Sequence, residues 1–167
     1  YVQLESNNEL KHLKYLKDIA SIKYLYLASC SSFVDVGKIK DILNNCYQFT
    51  LDSVYNLDIL DESKTTFLDV SNQTITLSNL ESIGNCSKLR KLGMDNTVIT
   101  DNLGGTLTNS VISEKLENCL KKLSKLVYAS FDNLKGLEDV NFINEWGETN
   151  QLRQLILLNT DVTDLSP

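Results

Sequence analysis

At 167 residues the chain is the size of one domain, and its 42% hydrophobic and 23% charged residues suit a globular protein with a sizeable core. A net charge of −6 argues against nucleic-acid binding, which draws most of its affinity from Lys and Arg on phosphates. Seven Gly and a single Pro exclude collagen-like, Pro-rich and flexible-linker chains, and no apolar run reaches the roughly 18 residues of a membrane span.

The compositional skew is 28 Leu and 17 Asn. In chain order, Val2 and Leu4 alternate as an opening strand, and Leu10, Leu13, Leu16 and Ile19 then follow a helical period. Ile22-Lys-Tyr-Leu25-Tyr-Leu27-Ala-Ser-Cys30 fits L-x-x-L-x-L-x-x-[NC] at every specified position. Ile39, Ile42 and Leu43 read as a helix, and Phe49-Thr-Leu51 as a weak strand. Phe67-Leu68-Asp-Val70-Ser-Asn-Gln73 is a partial copy, followed by helical Leu77, Leu80 and Ile83. Leu89-Arg-Lys-Leu92-Gly-Met94-Asp-Asn-Thr97 fits with Thr in the Asn/Cys slot. Gly104-Gly105 marks a turn ahead of the helical positions Leu116, Leu120 and Leu123. Leu123-Ser-Lys-Leu126-Val-Tyr128-Ala-Ser-Phe131 is a partial copy with Leu126 and Tyr128 inward, and Leu134, Leu137 and Val140 read as the next helix. Leu152-Arg-Gln-Leu155-Ile-Leu157-Leu-Asn-Thr160 closes the series. Asp41, Ser78 and Ser113 are the predicted helix N-caps.

The first core positions of these strands are Val2, Leu25, Phe49, Leu68, Leu92, Leu126 and Leu155. As far as Leu92 they recur close to the period of about 20–29 residues that marks one class of repeat. The last two intervals are longer, so the segments 100–120 and 130–150 should carry insertions or longer helices. These strands and intervals resemble a leucine-rich repeat protein over essentially the full length. The stretch from Leu25 through Cys30 to Cys46 is similar to the cysteine-containing repeats of F-box substrate receptors, and Asn159 to Pro167 resembles internalin and SDS22-like repeats. The resemblance implies an α/β fold: a right-handed leucine-rich repeat solenoid with a concave parallel β-sheet and convex short helices. It would form one domain over residues 1–167, with six or seven repeats. Val2 begins inside a strand and Asp164-Leu-Ser-Pro167 would lead into a helix, so the expectation is a fragment of a longer array.

No catalytic constellation is legible. The one His, His12, lies among Lys11 and Lys14 on a helical stripe with no nucleophile beside it in sequence. Cys30, Cys46, Cys86 and Cys119 form no C-x-x-C pair and read as buried thiols, without metal or cofactor, which leaves the location unknown but leaning towards a reducing, cytoplasmic one. The expectation is therefore a non-enzymatic scaffold that binds a protein partner on the concave face. The alternatives are a substrate-recognition module of a ubiquitin ligase and an extracellular receptor or adhesin. The two sequons, Asn72-Gln-Thr74 and Asn85-Cys-Ser87, lend weight to the last. Residues between the strand leucines project outward, and they nominate Tyr24, Tyr26 and Phe67, with Val127, Ile156 and Leu158 at the other end. Asp52, Asp69 and Asp95 in the middle favour a basic partner.

Overall fold

Alternating apolar residues two apart put both side chains on one face of a strand, and a single such strand cannot bury that face alone. Stacking solves the problem here. The computed structural model describes residues 1–7, 9, 16, 22–28, 48–52, 57, 60, 62–163 and 165. Seven strands form one parallel sheet: β1 (Val2–Glu5), β2 (Tyr24–Ala28), β3 (Gln48–Asp52), β4 (Thr65–Asp69), β6 (Lys91–Gly93), β8 (Tyr128–Ser130) and β9 (Gln154–Ile156). They stand side by side in chain order. A second, two-stranded parallel sheet pairs β5 (Thr74–Thr76) with β7 (Val98–Thr100).

The register fixes which residues stack. Leu4, Leu27, Leu51, Leu68, Leu92, Ala129 and Leu155 share one row across the sheet. Most intervals along this row match one repeat of about 20–29 residues. The step from Leu51 to Leu68 is shorter and the step from Leu92 to Ala129 is longer. Of the two segments expected to carry extra length, 100–120 does so and 130–150 does not.

Two further expectations change. Leu68 stacks on Leu51 and not on Phe49, because Thr66 is an extra residue that shifts the register of β4 against β3. Leu126, read as the counterpart of Leu92, instead matches Leu89, three residues ahead of the inward position. The true counterpart of Leu92 is Ala129. That places Phe131 level with Met94 and puts Leu134, not Phe131, in the slot held by Gln73, Thr97 and Thr160.

Each strand of the large sheet from β4 onward closes on an asparagine. Asn72, Asn96, Asn133 and Asn159 all have positive φ, between +53° and +61°, a region that Asn tolerates better than other residues with a Cβ. Their turns interlock: the N–H of Asn72, Asn96 and Asn133 donates to the carbonyl of Asp95, Asp132 and Leu158 at 2.7–2.8 Å.

Helices α1 (Leu77–Gly84) and α2 (Asn109–Leu120) pack on one another, and a 3₁₀ stretch over Asn141–Thr149, broken at Gly147, packs on α2. Leu80, Ile83, Leu116 and Leu120 share one core with the inward strand residues. Trp146 anchors the 3₁₀ stretch, its indole N–H donating to the Leu120 carbonyl at 3.0 Å. Leu134, Leu137 and Val140 are buried but lie in irregular backbone rather than the expected helix. The predicted N-caps also move. Ser78 lies inside α1 and Ser113 inside α2, whose caps are Thr76 and Thr108. Thr76 and Asn79 form a reciprocal capping box, the Asn79 N–H donating to Thr76 Oγ1 and the Thr76 N–H to Asn79 Oδ1. Thr76→Ala should cost about 1 kcal/mol in urea unfolding; no loss would mean that the box contributes nothing.

The Gly104-Gly105 turn is present. Asp101 Oδ1 accepts the N–H of Gly105 (2.7 Å) and Leu103 (2.8 Å), and these donors hold its carboxyl below the ordinary value. A depressed folded-state pKa means that this stabilisation is complete above the unfolded value and is lost as pH falls through the folded one. Apart from Leu16, which packs against the core, the expected helices over 10–19 and 39–43, with Asp41, His12, Cys30 and Cys46, lie outside the described residues.

Candidate functional site

Between the inward rows the sheet carries two rows on its other face. Tyr26, Thr50, Phe67, Lys91, Tyr128 and Gln154 are neighbours in one row; Ala28, Asp52, Asp69, Gly93, Ser130 and Ile156 form the next. Tyr26, Phe67, Asp69 and Tyr128 are half-buried and Lys91 is exposed. Tyr26 and Phe67 stand two strands apart, roughly 10 Å by strand spacing, with Thr50 between them and covered to 4% exposure. Tyr24, one residue before Leu25, is 46% exposed at the start of the same face.

Gly93 opens a hollow of about 260 Å³ in this face, lined by Phe67, Asp69, Lys91, Asp95, Tyr128 and Ser130. A Cβ at Gly93 would come within 2.8 Å of Asp69 Oδ1, so the carboxylate occupies the space that a side chain would take. Asp69 Oδ1 accepts the Ser71 N–H at 2.8 Å. Asp95 Oδ1 accepts the Ser130 hydroxyl at 2.6 Å and the Asp132 N–H at 2.7 Å. Each carboxylate is thus fixed through one oxygen, and among the described residues its Oδ2 has no partner. The arrangement suits a cationic or hydrogen-bond-donating guest held beside aromatic rings.

Of the residues nominated from sequence, Tyr24, Tyr26, Phe67 and Asp69 share the outward face, and Asp95 joins Phe67 and Asp69 at the hollow. Asp52 takes the strand position beside Asp69, its side chain lying outside the described residues. Ile156 ends β9 beside Ser130, and Leu158, two residues beyond the strand, is 62% exposed level with Asp132. Val127 is a correction. It precedes β8, its N–H donating to the Arg90 carbonyl at 2.8 Å, and the outward position belongs to Tyr128. Sequence spacing misses Tyr128 because Leu126-Val-Tyr128 mimics the inward L-x-L pair. It misses Asp132 too, which lies level with Asp95, just past its strand.

Chemistry beyond binding is sparse among the described residues. Cys86 and Cys119 are buried thiols, and burial, then the neighbouring Cys86, pushes the Cys119 thiol up to about 12. A group that stays protonated and covered is no nucleophile. No set of three His, Cys, Asp or Glu that could hold a metal occurs among the described residues.

A parallel sheet built strand by strand in chain order, with leucines on the inner rows, is a leucine-rich-repeat-like α/β fold. No protein-family model and no curated protein matches the chain. Among solved structures, an internalin from Listeria monocytogenes str. 4b F2365 is similar at 16% identity and a TM-score of 0.48. The match covers 90% of this chain and 45% of that one, so the chain spans less than half of its length.

Proposed function

We propose that the chain is a non-catalytic protein-interaction module: one leucine-rich repeat domain over residues 1–167, coiled as a right-handed solenoid whose sheet lines the concave side. A protein partner docks on the outward rows. The observation that carries this reading is the register that brings Tyr26, Phe67 and Tyr128 into one accessible row. Large aromatics offer much contact area at low entropic cost, which is why they recur as interface anchors. Tyr24, Asp69 and Asp95 complete the contact set, and the carboxylates add a cation-seeking side to it.

Tyr26→Ala should weaken partner binding by about 2 kcal/mol or more, the hot-spot scale. The thermal midpoint should barely move, since Tyr26 is only half-buried. Calorimetric titration with the purified partner, together with a thermal melt, measures both. Unchanged affinity with Tyr26 and Tyr128 both truncated would contradict the proposal.

A further inference from the structure

In a parallel sheet every strand runs the same way, so a charge placed at one end of each repeat accumulates along one edge. Antiparallel neighbours would alternate it away. Here the two edges differ in sign. Where the strands begin, Arg90 and Arg153, both exposed, line a hollow of about 400 Å³. Lys88 and Lys125 hold one repeated place on that edge, four residues before Leu92 and Ala129, and both are exposed. Lys23 and Lys64 hold the same place before Leu27 and Leu68. Where the strands end, Asp69 and Asp95 line the hollow over Gly93, with Asp132 level with Asp95. Phe67, Lys91 and Tyr128 lie between the two edges. Arg90 and Asp95 are five positions apart, at most about 16 Å at the rise of an extended chain.

We infer that the partner is split in charge. It sets carboxylates on the edge where the strands begin and cationic side chains on the edge where they end, at most about 16 Å apart, with an aromatic centre on Phe67 and Tyr128 to either side of Lys91. This rests on the protein-binding reading above and narrows it. A net charge of −6 alone points to a basic partner, but complementarity acts between local potentials, and this face holds both signs.

Three seven-residue peptides test it by amide chemical-shift titration of the isotope-labelled chain: Glu-Glu-Ser-Phe-Ser-Arg-Arg, and the same peptide with Glu at both ends or Arg at both ends. The split peptide should bind at least ~10-fold tighter than either control, moving the amides of Arg90 and Arg153 at one edge and of Gly93 and Ser130 at the other. In the exposed double variant Arg90→Glu with Arg153→Glu, preference should pass to the all-Arg peptide. If the all-Arg peptide binds the unaltered chain as tightly as the split one, the inference is overturned while the broader reading stands. If no peptide moves any amide of the outward rows, both fall.

Discussion

Leu92→Ala should destabilise the fold by about 2–5 kcal/mol, the range for a fully buried leucine truncated in a core that cannot collapse around the gap. Leu92 is 0% exposed on β6, flanked in its row by Leu68 and Ala129. Ala129, its register partner on β8, is too short to fill the cavity. Urea unfolding should give a lower midpoint with little change in slope. A loss below about 1 kcal/mol would mean that the inward row is not a packed row. Lys91→Ala, one residue away on the exposed face, should cost almost nothing by the same measurement.

The second large effect concerns a glycine. Gly136 has φ of +83°, and a Cβ built on it would fall 2.5 Å from Ile112 Cγ2 and 2.7 Å from Ile112 Cβ. Ile112 is itself buried on α2, so it has little room to yield. Gly136 also donates its N–H to Asp161 Oδ2 at 2.8 Å, which ties the turn in place. Gly136→Ala should therefore cost about 1–2 kcal/mol for the left-handed backbone and about 1–3 kcal/mol more for the overlap, about 3 kcal/mol together. Gly104→Ala separates the two causes. Its φ of +86° is nearly the same, but nothing lies within 4 Å of a Cβ there, so only the backbone part should appear. Equal losses at the two sites would show that Ile112 moves aside freely.

The parts of the fold legible in the sequence are those where large apolar residues occupy the inward positions. Leu89, Leu92 and Met94 repeat the spacing of Leu152, Leu155 and Leu157, and both sets pack inward as that spacing predicts. β8 misleads because its inward residue is Ala129, small enough to be passed over, while Leu126 and Tyr128 two apart imitate a core pair. The bulge at Thr66 is invisible for a different reason: it breaks the alternation between buried Thr65 and buried Leu68, and a threonine there carries no apolar signal that would mark the inward position. For the site, outward residues follow from the inward ones, so Tyr26, Phe67 and Asp69 fall where the spacing puts them and Val127 inherits the error of β8. The hollow over Gly93 cannot be read from sequence at all. It depends on a missing side chain in one strand and a carboxylate from the neighbouring strand, one repeat earlier in the chain. The asparagines at the strand ends do recur visibly, but their shared left-handed backbone emerges only once the turns stack.

A single crosslinking measurement tests the central claim, that the outward rows are the working surface. A photo-reactive phenylalanine analogue is placed at Tyr26, at Tyr128 or at Leu103, which is 97% exposed on the loop ahead of α2. Each chain is then irradiated in complex with its purified protein partner. The account predicts covalent adducts from positions 26 and 128 and none from position 103. Adducts from position 103, with none from the two sheet positions, would contradict it.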